Sequence, residues 1–246
     1  MNLDDRMKDY ESSVGTKLIL RNPAIIRIDG RAFHTFTRGF VKPFDVVLQS
    51  ALNETMKQLF HKVSTANFGY AQSDEISLLL IDYKNLDTSQ YFGGTVQKIV
   101  SVVASEATTI FNHEIFKLGD KVPENKLFRA TFDARVFSIP ERDVANYFIW
   151  RQKDCLRNSV LSKALAYFSP NQIKGKKNTE TIEMLENLAK ERNDLSIQWQ
   201  QEKQGNKNGF IVSSAVGKKD AIIEDAPIFS ENREIIEKYL VLVDEE

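Results

Sequence analysis

Apolar residues follow two rhythms along this chain. The stretch "PAIIRI" (23–28) is short and β-branched and is bounded by Pro23 and Gly30, which reads as a buried strand. Asp45 then stands where a helix N-cap belongs, followed at helical spacing by Leu48, Leu52, Met56, Leu59 and Val63. "STANFGYA" (64–71) and "ISLLLI" (76–81) return to strand composition and predict a hairpin turning around Gln72, Ser73 and Asp74. After Gly93 and Gly94, the positions Val96, Ile99, Val100, Val103, Ala107, Ile110 and Phe111 predict an amphipathic helix. "ATFDARVFSIP" (130–140) closes the series as a strand ending at a proline.

Strand, helix, strand, strand, helix, strand is the order of the ferredoxin-like βαββαβ unit, an α+β fold with one antiparallel sheet and its helices on one face. In that topology the first and third strands are antiparallel neighbours. The end of "RIDG" should therefore meet the beginning of "SDEI", which makes Asp29 and Asp74 neighbours in space. Residues 1–140 form the expected core. From 141 to 246 the chain becomes a helical extension packed on it: one long or two shorter helices over 141–168, another over 179–193, a flexible loop over 198–209 and a short strand at "FIVSSAV".

Composition narrows the class without naming it. At 246 residues, with 42% hydrophobic and 27% charged positions, the chain is of ordinary globular composition. It has 33 Lys and Arg against 34 Asp and Glu, so no global charge draws it to nucleic acid, although "IKGKKN" (173–178) and "GKKD" (217–220) could build a local basic face. Cys155 is the only cysteine, which excludes an internal disulfide and a cysteine-built zinc site within one chain. No apolar run reaches the ~18 residues of a membrane span, and the polar N-terminus does not read as a signal peptide, so a cytoplasmic protein is expected.

Three carboxylates, Asp29, Asp74 and Glu75, meeting at one sheet edge repel one another unless a cation neutralises them. Mg²⁺ suits such a set, since it takes one or two carboxylates and completes its shell with water and phosphate oxygens. Two such ions would clamp the attacking and leaving oxygens of a phosphoryl displacement, so the cluster suggests nucleotidyl transfer. Read singly, the same residues are also ordinary turn formers. Gly30 would let the backbone approach a phosphate, with Arg31, His34, Arg38 and Lys42 supplying charge around an anion-binding nest. His34 serves equally well as a half-buried turn residue, and Phe33, Phe36, Phe40 and Phe44 read as packing residues.

The segments "RIDGRAFHTFT", "VKPFD", "AQSDEIS", "FDARVFSIP" and "YFIWRQKDC" resemble, in order and spacing, motifs of the tRNA-His guanylyltransferase family, which includes 3′-to-5′ polymerases acting on tRNA. The resemblance covers about residues 1–168. It implies a polymerase-type palm holding two Mg²⁺ ions through Asp29, the carbonyl of Gly30 and Asp74, with Glu75 a further catalytic acid. It also implies that Asp29, Gly30, Arg31, Ala32, Phe33, His34, Ser73 and Asp74 grip a nucleoside triphosphate, ATP or GTP, that Lys42 contacts its phosphates, and that Lys98, a further basic position on the palm's second helix, belongs to the nucleotide-binding set. A homotetramer is the implied assembly.

After "WRQKDC" the chain reads "LRNSVLS" (156–162), where the eukaryotic enzymes carry a "HINNLYN"-type segment. With "FGGTVQKI" (92–99), this is similar to the bacterial and archaeal-type branch. The reading favoured is template-dependent repair of 5′-truncated tRNA, with Arg151, Lys153, Arg157 and Asn158 as contacts to the tRNA end. Two alternatives stand beside it: addition of a G at position −1 of tRNA-His alone, and a nucleotide cyclase of the diguanylate type, which would share palm topology but lacks a "GGDEF"-like turn here.

Overall fold

Isoleucines at 25, 26 and 28 and the run Ile76–Leu80 are apolar on both strand faces, as strands buried on both sides must be. In a computed structural model, which describes residues 2–84, 87–194, 197, 209–213 and 221–241, they form the middle of a six-stranded sheet. In chain order the described elements are α1 (Leu3–Ser12), β1 (Ala24–Gly30), α2 (Phe33–Phe36), α3 (Val46–Lys62), β2 (Ala66–Gln72), β3 (Glu75–Leu80), α4 (Val96–Lys117), β4 (Phe132–Ser138), α5 (Glu141–Leu165), α6 (Pro170–Ile173), α7 (Asn178–Arg192), β5 (Phe210–Ser213), β6 (Ile222–Asp225) and α8 (Glu234–Glu237).

The strands run β4-β1-β3-β2-β5-β6, every neighbouring pair antiparallel. The first four are the ferredoxin-like order, and β5 and β6 extend it beyond β2. Asp45 caps α3 as its position predicts: its Oδ1 accepts from the N–H groups of Val47 and Leu48 at 2.8 and 3.2 Å. The segment 141–165 is a single helix. The short strand β6 has no periodic signal in the sequence, because its charged and isoleucine positions are largely exposed at the sheet's edge. Of the expected loop over 198–209, residues 198–208 lie outside the described residues, as does the basic run 217–220. Lys174, Lys176 and Lys177 of the other basic run are exposed.

Alternation along the strands feeds two cores. Ile26, Ile28, Leu78 and Leu80 pack under α3 and α4, while Ile25, Phe68, Tyr70 and Leu79 pack under α5 and α8. The C-terminal half of α5 joins α6 and α7 in a third, smaller cluster around Ala164, Ile173, Leu185 and Ala189. Among the described residues, no helix is long and apolar enough to cross a membrane.

Candidate active site

The register delivers the juxtaposition that the strand order predicts. Asp29, one residue before the end of β1, lies directly opposite Glu75 of β3, and the N–H of Gly30 donates to the carbonyl of Asp74 at 3.0 Å. Asp74 occupies the two-residue connection from β2 to β3, where Ser73 takes a positive φ of 53° and its Oγ donates to Asp74 Oδ1 at 3.0 Å. Burial, then the charge of Asp29, push the Asp74 carboxyl up to about 6, with the Ser73 hydrogen bond opposing them.

Glu75 departs from its expected place among the metal-facing acids. It is 4% exposed, and Arg151 of α5 donates to it from Nε and Nη2, both at 2.7 Å. Arg27 Nη2 lies 2.7 Å from Glu75 Oε2 and 3.3 Å from Asp29 Oδ2. Two guanidinium groups thus satisfy Glu75, and the pairs tie β3 to α5 and to β1 beside Asp29. Among the described residues, no group of three His, Cys, Asp or Glu side chains is arranged to hold a metal ion. What remains is a pair, Asp29 and Asp74, beside the Gly30 carbonyl. That oxygen-only donor set, with Asp74 held up by burial and then by the charge of Asp29, fits Mg²⁺, which binds through one or two carboxylates.

After β1 the chain turns sharply. Ala32 is left-handed at φ 53°, and Phe33 and Phe36 bury their rings against Phe111, with Phe33 also packed on Phe132. A Cβ on Gly30 would fall 2.3 Å from the Phe33 ring, so this glycine is needed for a ring's close approach from within the protein. The turn and α3 enclose a cavity of about 590 Å³, lined by Gly30, Ala32, Phe33, His34, Lys42, Ser73 and Asp74 and, opposite them, by Leu48, Gln49 and Asn53. Two polar groups at this cavity stand outside the site residues expected from the sequence: among the described residues, the Asn53 Oδ1 and Gln72 Oε1 atoms are buried without a hydrogen-bond partner. Both are acceptors in want of a donor, and Asn53 follows Gln49 by one helical turn, which is the signal that could have found it.

Three expected site residues lie elsewhere. Arg31 is exposed and outside the cavity, its N–H donating to Thr131. Lys98 stands over the Phe92 ring near the start of α4, and Phe111 of the same helix lines the cavity; at 1.5 Å per residue the two are about 20 Å apart. Lys98 therefore does not reach a phosphate in this cavity. Arg151 is 4% exposed and also bonds Asp154 at 3.0 Å, so it is a buried clasp and not an RNA contact. Lys153, Arg157 and Asn158 are exposed on α5, Arg157 paired with Asp154. Asn158 borders a recess of about 90 Å³ shared with Ser73 and Cys155.

Residues 4–140 match the family described as tRNAHis guanylyltransferase, Thg1. The chain belongs to this family. Its members are nucleotidyltransferases, and the match spans the six elements of the palm-like core. A bacterial tRNA(His) guanylyltransferase (Thg1)-like protein in complex with ATP superposes on this Thg1-family chain with a TM-score of 0.86 and 39% identity, covering 98% of this chain and all of that one. A structure of such a protein with GTP gives 0.79 and 36% over the same shares. An uncharacterised protein of Acanthamoeba polyphaga mimivirus is 31% identical over 89% of this chain and 80% of its own length. The chain spans less than two thirds of the length of the tRNA(His) guanylyltransferases it matches in plants, fungi, Dictyostelium discoideum and mouse. Family membership sets the cyclase alternative aside.

Proposed function

We propose that this Thg1-family protein adds nucleotides in the 3′-to-5′ direction to the 5′ end of truncated tRNA, each choice directed by pairing with the opposite acceptor strand. The observation that carries this is the placement of Asp74 in the lining of a cavity of nucleotide size, with Asp29 brought beside it by the strand register. In the first stage an oxygen of the RNA 5′ phosphate attacks the α-phosphorus of ATP; the bond to pyrophosphate breaks and the RNA end becomes adenylylated. In the second the 3′-hydroxyl of an incoming NTP attacks the RNA phosphate, and AMP leaves. The cavity holds the nucleotide, the turn at Ala32–His34 and Lys42 face its phosphates, and the amide oxygens of Asn53 and Gln72 accept from its base or ribose. Asp29, Asp74 and the Gly30 carbonyl would hold Mg²⁺, which when bound neutralises the charge developing on the phosphate oxygens.

Incubation with Mg²⁺, ATP, all four NTPs and a tRNA lacking its first nucleotide should yield a one-nucleotide extension whose identity follows the opposite acceptor nucleotide when that is changed. No extension overturns the proposal. Addition of G to tRNA-His alone, whatever stands opposite, would replace repair by the narrower −1 activity.

Two further results are expected. Because the folded Asp74 carboxyl is raised to about 6 from its ordinary 3.8, its contribution to stability is fully present below pH 3.8 and lost as pH rises through 6. Mg²⁺ needs the ionised form, so the thermal shift it produces should grow between pH 5 and pH 7; a shift equal at both would separate Asp74 from the metal. Separately, Lys153→Ala and Arg157→Ala should each weaken tRNA binding and lower the salt slope by about 1, with ATP affinity unchanged. Unaltered salt dependence would remove those side chains from the RNA path.

A further inference from the structure

More than half of the Trp150 side chain lies in solvent, at 55% exposure, although it sits on a helix whose inner face is fully buried. The indole is not loose. The Arg151 guanidinium lies 4.5 Å from its ring centroid, and the Tyr147 ring meets it edge-on at 5.9 Å. Both supports are themselves buried and held, Arg151 by Glu75 and Tyr147 by a 2.9 Å hydrogen bond with Ser77. The result is a flat, pre-oriented aromatic surface with one side available, which costs a ligand little ordering.

Its surroundings indicate what would lie on it. Trp150, Lys153 and Arg157 follow one another at spacings of three and four, so they share a face of α5 and place exposed cations beside the indole. Across the sheet, Arg135 of β4 is directly opposite Arg27, on the side that faces α5; it is exposed and pairs with Asp133 at 3.4 Å, while Arg157 pairs with Asp154. An aromatic plane flanked by cations is the arrangement that stacks a nucleobase and follows its backbone. The indole is tied to the acidic pair through the interior, by Arg151 to Glu75 and from Glu75 by Arg27 to Asp29, which fixes its place relative to Asp29. Asp29 faces the same layer, since its side chain reaches Arg27 and its cross-strand partner is Glu75.

We infer that Trp150 is a positioning residue on which the terminal base at the 5′ end of the RNA stacks while its phosphate is presented beside Asp29. The inference rests on the proposed function and names the side chain that orients its RNA substrate. The nucleotide cavity is lined by α3 and by the C-terminal end of α5 at Ser162 and Leu165, about three turns beyond Trp150, which is not in its lining, so the ATP of the first stage does not touch the indole.

The chain has two tryptophans, Trp150 and Trp199, so Trp199→Phe leaves Trp150 as the only indole reporter. Titration of that variant with 5′-truncated tRNA should quench its fluorescence saturably, in step with binding measured by filter retention, whereas ATP alone should leave emission unchanged. In the same background Trp150→Ala should raise the KM for tRNA about 10-fold or more while ATP affinity and the melting temperature stay as they were, and Trp150→Phe should retain most of the effect. Binding of tRNA without quenching, or an unchanged KM in the alanine variant, overturns the inference. So does loss of subunits by light scattering in Trp150→Ala, which would make the indole a contact between copies of the chain. A parent protein that neither binds nor extends tRNA would instead bring down the functional reading itself, and this inference with it.

Discussion

Asp29→Ala or Asp74→Ala is expected to abolish adenylylation of the RNA 5′ end and nucleotide transfer together, each by on the order of 10³-fold or more. The two carboxylates meet through a single strand register and a single backbone hydrogen bond, so they form one site and not two. Charge neutralisation at a phosphate is worth several kcal/mol; Glu75 is held by Arg27 and Arg151 and cannot replace either acid, and Asp133, opposite Asp29 on β4, is paired with Arg135 at 3.4 Å. The measurement is single-turnover formation of the adenylylated tRNA from a 5′-monophosphate, run beside NTP addition to a 5′-triphosphate end that needs no activation. Retention of either step in either variant would mean that the two reactions use separate acids.

Arg151→Ala should act on stability more than on chemistry. The substitution leaves Glu75 buried with Arg27 as its one remaining cation, and breaking a buried pair from one side costs about 3 kcal/mol or more. For a chain of this size that corresponds to a fall in melting temperature of roughly 6 to 12 °C. Glu75→Gln combined with Arg151→Met should recover part of the loss, because the buried carboxylate goes together with its cation while Arg27 keeps Asp29 at 3.3 Å. Arg151→Lys should recover less, since an ammonium cannot reproduce the two donors aimed at one carboxylate. A melting temperature unmoved by Arg151→Ala would show that Glu75 is not held as the geometry indicates.

Much of this was legible before any coordinates. Hydrophobic period separated strands from helices, the order of elements fixed the neighbours of β1, and so two short acidic segments far apart in sequence could be placed together. What escaped depended on helix rotation and on partners across the sheet. Arg151 stands in a charged segment, "WRQKDC", that reads as solvated. Yet it continues the stripe Val144, Ala145, Phe148, Cys155 and Ser159 that faces the sheet, and this is the one pattern that marks it as interior. Arg27 likewise interrupts an apolar strand, and a cation there asks for a buried acid that only the register can supply. Lys98 was placed by family resemblance, and the length of α4 sets it far from the cavity. The lining from α3 was missed because Gln49 and Asn53 belong to no motif.

One consequence follows from the pleat at the end of β1. Consecutive residues in a strand point to opposite faces, so Asp29 turns toward α5 while Gly30 adjoins the cavity beneath α3. On the proposed function, the RNA approaches over the outer face of α5 and the nucleotide enters beneath α3, but both paths touch α5, whose last residues Ser162 and Leu165 line the cavity. The outer residues of that helix nearer its start, such as Trp150 and Lys153, can change with little disturbance to the nucleotide pocket. The segment "LRNSVLS" stands at the crossing: Arg157 and Asn158 face solvent while Ser162 borders the cavity, so replacing a "HINNLYN"-type segment rewrites the polymer's address and retouches the monomer's berth together.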